Sequence, residues 1–88
     1  MPDGVDVSVR PNPSQGHVEV MLSLAEAKDV RVVVFDALGR EVAVVLAGPV
    51  AAGERALSVD TSAWPIGVYV VRVVAGGRTA SARLVVAR

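Results

Sequence analysis

The side chains that could do chemistry are few and scattered. His17 is the single histidine of the chain. A general base needs a nucleophile or carboxylate within hydrogen-bond reach. A zinc site needs more strong ligands than this chain offers. His17 lies on the polar side of a predicted strand, so it is expected to be a solvated surface histidine. The nine carboxylates do not cluster. Asp36 and Asp60 read as turn and loop residues whose side chains accept hydrogen bonds from nearby backbone amides. Calcium could join loop carboxylates with backbone carbonyls, but no stretch resembles an EF-hand loop. There is no cysteine, so neither a disulfide nor a thiolate metal site is available. No G-x-S-x-G, phosphate-binding loop or H-E-x-x-H occurs, and the glycines read as turn residues. The residues therefore point to no catalysis, no metal and no cofactor.

Composition narrows the possible partners. The 88 residues carry nine basic and nine acidic side chains, interspersed, for a net charge of zero. A nucleic-acid binder needs a basic stripe, and a membrane-surface anchor needs a polybasic run. Neither is present. With one tryptophan, one tyrosine and one phenylalanine, there is no base-stacking platform. The apolar runs Val42 to Leu46 and Val68 to Val71 are too short to span a bilayer, so no membrane insertion is expected. No secretory leader opens the chain. If the protein is exported, its signal lies upstream and these residues are part of a longer chain. The hydrophobic fraction of 52% is far above that of a disordered tail. The length suits one domain, residues 1–88, held by its core alone.

The elements that must position these residues are strands. Helix signals are nearly missing; Leu24 to Lys28 is too short to be more than a turn. Val5 to Arg10 alternates apolar and polar, and Pro11-Asn12-Pro13 stops it because proline cannot donate to a ladder. His17 to Leu24 alternates in the same way. Val30 to Phe35 is almost continuously apolar, as expected of a central strand. Asp36-Ala37-Leu38-Gly39 fits a type I turn leading to a fourth strand, Glu41 to Ala47. Gly48 to Gly53 reads as a loop and Arg55 to Val59 as a fifth strand. Asp60 to Ile66 crosses over, with a type I turn at Trp64-Pro65-Ile66-Gly67. Val68 to Ala75 follows, then a Gly76-Gly77 hairpin turn with both glycines at positive φ. A seventh strand runs from Thr79 to the end. Seven short strands predict an all-β, immunoglobulin-like antiparallel β-sandwich.

Two features of this pattern have more than one reading. Tyr69, near the start of the sixth strand, is placed to bond its hydroxyl to nearby backbone and close a corner. Trp64 either plugs that end of the sandwich or forms part of an exposed binding surface. Val33, Val45, Val70, Val74 and Val85 alternate with inward positions yet are apolar. They reflect either high β-propensity in central strands or an exposed patch that meets a partner or another copy.

Taken together, the turn signatures resemble the type A C-terminal sorting domain of the type IX secretion system, found on exported proteins of Bacteroidetes and related bacteria. The resemblance spans nearly the whole chain. It rests on Pro11-Asn12-Pro13 with Gly16, on Asp36-Ala37-Leu38-Gly39-Arg40-Glu41-Val42, and on Gly53. It continues through Gly67-Val68-Tyr69 leading into Val70 to Val73, and a final strand ending in Arg88. Two departures stand out. Trp64 occupies a position that is often leucine, and the final strand has only Arg83 and Arg88 as basic residues.

The resemblance implies a non-catalytic signal on a cargo that crosses the periplasm and reaches the cell surface or medium. The implied partners are an outer-membrane translocon, a sortase-like protease that commonly removes the domain, and the cargo domain upstream. The cargo would be released or anchored to lipopolysaccharide, and such cargoes are often hydrolases. The recognition candidates are Asp36, Gly39 and Arg40 in the first turn, Gly67 and Tyr69 at the corner, and Leu84, Val85, Val86 and Arg88 at the end. Each also has a turn- or core-forming role. Two other readings remain beside it. One is an immunoglobulin-like binding or spacer module for a glycan or cell surface, appended to a secreted hydrolase. The other is self-association through the apolar strand faces.

Overall fold

The computed structural model describes residues 4–13 and 15–87. Seven strands follow one another: β1 (Val5–Arg10), β2 (His17–Leu24), β3 (Lys28–Phe35), β4 (Glu41–Val50), β5 (Gly53–Asp60), β6 (Gly67–Ala75) and β7 (Arg78–Val86). They form a three-stranded sheet in the order β1-β2-β5 and a four-stranded sheet in the order β4-β3-β6-β7, with every neighbouring pair antiparallel. No helix occurs among the described residues. This is the expected immunoglobulin-like β-sandwich.

The alternation in the sequence becomes the core. Val18, Val20, Leu22 and Leu24 of β2 face Val30, Val32 and Val34 of β3, Tyr69, Val71 and Val73 of β6, and Leu84 and Val86 of β7 in one buried cluster. Side chains on a strand point alternately to opposite faces, so an inward set at every second position fills the space between two sheets. β3 is flanked by β4 and β6, which accounts for its apolar run: Val30, Val32 and Val34 point inward and Val33 is buried on the other side.

The structure departs from the sequence reading at several places. β3, β5, β6 and β7 begin one or two residues earlier than expected, at Lys28, Gly53, Gly67 and Arg78. Gly48 to Val50 belongs to β4 and is not loop. Pro49 is tolerated there because β4 is an edge strand, where a missing amide breaks no ladder. Val45 does not sit on the outer face. A register shift between Val32 and Val33 lets one residue of β3 span two of β4, and Val45 and Leu46 both pack against the core. Finally, only Gly76 of the Gly76-Gly77 turn has positive φ, at 60°. That is the requirement of a type II′ turn, which places the positive φ at the first central position alone.

Candidate functional site

The turn after β3 is built on one carboxylate. The Gly39 amide donates to the Asp36 carbonyl at 3.0 Å, closing the four-residue turn. Asp36 Oδ1 accepts from the amides of Leu38 and Arg40, each at 2.9 Å. Arg40 Nε donates to Asp36 Oδ2 at 2.8 Å. These donors stabilise the ionised form and hold the Asp36 carboxyl below its ordinary value. The Arg40 amide contributes most; desolvation opposes it, and the Arg40 guanidinium and the Leu38 amide add to the lowering. Gly39 has φ 81°, a conformation that side-chain-bearing residues avoid. Asp36, Gly39 and Arg40 therefore each have a fixed place in the turn, as the sequence anticipated.

The crossover from β5 to β6 is held in the same manner. Asp60 Oδ1 accepts from the Ser62 amide at 2.9 Å, and hydrogen bonds from the Ser62 side chain and amide lower its carboxyl. The hydrogen-bonded turn is Thr61 to Trp64, where the Trp64 amide reaches the Thr61 carbonyl at 3.0 Å. The expected turn at Trp64 to Gly67 is thus displaced toward β5, because the Asp60 cap bends the chain as soon as the strand ends. Tyr69 donates its hydroxyl to the Pro65 carbonyl at 2.6 Å, closing the corner. The Trp64 and Tyr69 rings lie 5.2 Å apart at 44°. Trp64 is half-buried against the core, so it is the plug and not an exposed aromatic platform.

The final strand joins this end of the sandwich. In the β6–β7 ladder Tyr69 pairs with Leu84, Val68 with Val85 and Gly67 with Val86. Leu84 and Val86 point into the core, and Val85 points to the outer face. The Pro11-Asn12-Pro13 turn, with both prolyl peptide bonds cis, does more than end β1. Asn12 Nδ2 donates to the Arg83 carbonyl at 2.8 Å, and its Oδ1 accepts from the Val85 amide at 2.9 Å. A side-chain amide carries the same donor and acceptor as a peptide unit, so Asn12 pairs with the outer edge of β7 as a one-residue strand would. The sequence reading missed this bridge. Its signal was an amide residue between two prolines, where the backbone itself has little to offer.

These contacts bring the sequence signatures at residues 11–13, 36–40, 64–69 and 83–86 to one end of the molecule, while Gly53, opposite Leu24, lies at the other. A shallow groove of about 200 Å³ is lined by Asp36, Leu38 and Arg40 on one side and Pro65, Ile66 and Val68 on the other. Leu38 and Ile66 are 77% and 66% exposed. An apolar side chain at the tip of a turn contributes little to the fold, and neither residue was singled out in the sequence. Of the predicted recognition residues, Asp36, Gly39, Arg40, Gly67, Tyr69, Leu84, Val85 and Val86 gather here. Arg88 lies outside the described residues.

No reactive arrangement accompanies the groove. His17 is exposed on β2, and its Nε2 shares a hydrogen bond with Ser58 Oγ of β5. Asp60 stands opposite His17 in the ladder, but its carboxylate is engaged by Ser62. A serine–histidine pair acts as a nucleophile only when a carboxylate orients the imidazole and donors await the oxyanion. Among the described residues, no three of histidine, aspartate or glutamate stand close enough to hold a metal ion. What the groove offers is shape, apolar side chains and fixed hydrogen-bonding groups.

Comparison with known proteins decides the family. The family model described as "Secretion system C-terminal sorting domain" matches residues 8–87. The chain belongs to this family. Sorting domains of this kind are non-catalytic C-terminal signals for type IX secretion, and they direct export through the outer membrane to the cell surface or the medium. The sorting domain is also similar in fold to part of a solved structure titled "Crystal structure of dimeric latent PorU from Porphyromonas gingivalis", with a TM-score of 0.67 and 21% identity. That alignment covers 98% of the sorting domain and 9% of the other chain. No curated protein matches.

Proposed function

We propose that this sorting domain is one module of a longer exported protein and does no catalysis itself. The cargo precedes it, crosses the periplasm, and is handed to an outer-membrane translocon that reads the folded domain. A sortase-like protease then removes the module, and the cargo is released or held at the surface.

The observation that carries this reading is the gathering of four separated sequence signatures at one end of the sandwich. Residues 11–13, 36–40, 64–69 and 83–86 meet there through the Asn12 bridge and the β6–β7 ladder. Fold formation alone does not call for exposed Leu38 and Ile66 at the tips of two adjacent turns. We assign recognition to that end, with Asp36, Gly39 and Arg40 fixing the Leu38 turn, Gly67 and Tyr69 fixing the Ile66 corner, and buried Leu84 and Val86 anchoring the strand that presents Val85.

The test fuses the 88 residues behind a periplasm-exported fluorescent protein in a host that has type IX secretion. The fusion is expected in the medium or on the cell surface, and the unfused fluorescent protein in the periplasm. A double change Leu38→Ser with Ile66→Ser removes only exposed side chains, and is expected to leave the domain folded while retaining the fusion in the periplasm. Periplasmic retention of the unaltered fusion would sink the reading.

A further inference from the structure

We infer that the outer face of the four-stranded sheet is a docking surface for a protein of the secretion machinery whose matching surface is apolar and bears carboxylates. The inference rests on the reading of the domain as a signal that other proteins recognise.

The two outer faces of the sandwich differ in kind. The three-stranded sheet presents Asp6, Ser8, Arg10, Glu19, Ser58 and Asp60, among others, an ordinary solvated surface rich in carboxylates. Among the described residues the large exposed apolar ones are Leu38, Val42, Val44, Ile66, Val68, Val70 and Val74, and every one lies on the four-stranded sheet or on the turns at its end. Cross-strand pairing makes them a continuous surface. Val44 stands beside Val33, Phe35 beside Val70, and Val68 beside Val85. An antiparallel sheet with one solvated face normally alternates apolar-in and polar-out. β2 obeys that rule, and β6 breaks it at Val68, Val70 and Val74.

Charge selects the partner. Arg72 sits between Val70 and Val74 along β6, opposite Val33 on β3 and Ser81 on β7. Arg83 stands opposite Val70. Among the described residues the ion pairs are Arg31 with Glu41 at 3.6 Å and Arg40 with Asp36 at 2.8 Å. Among the described residues Arg72 and Arg83 form no ion pair, although Arg72 shares a hollow with Arg31 and Glu41, which pair with each other. A guanidinium set among valines takes a carboxylate in a fixed planar geometry, and gains strength as the apolar surroundings exclude water. Such a pair discriminates against wrong partners more than it adds raw affinity. Arg31 and Arg40 are already paired with carboxylates, which leaves Arg72 and Arg83, short of the clusters of four to eight that an anionic membrane calls for.

Size argues against a permanent partner. Four strands at about 4.8 Å spacing and about seven residues at roughly 3.3 Å each span about 440 Å². A stable interface buries about 800 Å² on each side. The face suits a contact that forms and releases, as handing a cargo from one carrier to the next requires.

The test compares export of the same fluorescent fusion with single changes on the two faces, each purified domain being checked by thermal melting. Arg72→Glu and Val70→Ser are each expected to lower export at least about tenfold with melting little changed, and Arg72→Lys to retain part of it. The opposite-face change Glu19→Lys is expected to export normally. If the unaltered fusion is exported and Arg72→Glu and Val70→Ser are exported equally well, the docking proposal is overturned while the sorting reading stands. An equal loss with Glu19→Lys overturns it as well, since the effect is then one of general charge. Dimerisation in sedimentation, or binding to phosphatidylglycerol vesicles, that is abolished by Arg72→Glu would give the face to a second copy or to lipid and overturn it too.

Discussion

Asn12 and Val85 are 73 positions apart in sequence, yet the amide of one meets the carboxamide of the other at 2.9 Å. With the reciprocal bond to the Arg83 carbonyl at 2.8 Å, this single side chain covers part of an otherwise open edge of β7. An open edge offers unpaired amides and carbonyls to any passing strand. Asn12→Ala is expected to lower stability by about 1–3 kcal/mol, since two hydrogen bonds of about 0.5–1.5 kcal/mol each are lost. Asn12→Asp keeps the acceptor for Val85 but sets a carboxylate against the Arg83 carbonyl, and should cost at least as much. Urea unfolding checks the energies. Faster exchange of the Val85 amide in both variants would locate the loss.

The Tyr69 corner separates ring from hydroxyl. Tyr69→Phe keeps the ring contact with Trp64 and removes only the bond to the Pro65 carbonyl, so a loss of about 1 kcal/mol is expected. Tyr69→Ala removes a buried ring and should cost about 3–5 kcal/mol. Chemical denaturation of the two variants tests the order. Equal losses would mean that the ring packing carries no weight.

Acid should loosen the two capped turns. The folded-state carboxyls of Asp36 and Asp60 both lie below the 3.8 of the free side chain. A group lowered on folding contributes stability that is fully present above its unfolded value and lost as pH falls through the folded one. The melting temperature is therefore expected to drop as pH falls below the 3.8 of the free side chain. The gap between wild type and Asp36→Asn should be widest near neutrality and close as the carboxyl protonates. Melting curves across that range decide it, and a gap that stays constant with pH would contradict the assignment.

The β6–β7 turn gives a paired test on adjacent glycines. Gly76 has φ 60° and Gly77 has no positive φ. Gly76→Ala is expected to cost about 1–3 kcal/mol through backbone strain. Gly77→Ala should cost clearly less, because no neighbouring atom lies within 4 Å of an added Cβ. Stability measurements on the two variants check the turn type directly.

The fold was legible because its information is local. Strict alternation in His17 to Leu24 set a face before any partner was known, and the apolar run of Val30 to Phe35 marked a central strand. Asp36 and Asp60 were readable as caps for the same reason, since their donors lie within four residues. Asn12 was not, because its partners arrive only when β7 docks. Val45 misled for a related reason. A bulge changes which side a residue faces, and its cause is the pairing of β4 with β3, which no window of sequence contains. Leu38 and Ile66 were passed over because each looked like an isolated apolar residue in a turn, and only the folded chain sets them across one groove.

The position of β7 in the core has a bearing on timing. Leu84 and Val86 are fully buried, and Asn12 finds its partners only on that strand. A nascent chain must hold its first six strands unfinished until the seventh is delivered. The surface formed by residues 12, 38, 66 and 85 does not exist before that moment. A receptor that reads this surface distinguishes a finished molecule from a stalled or truncated one, so quality control is built into the address itself.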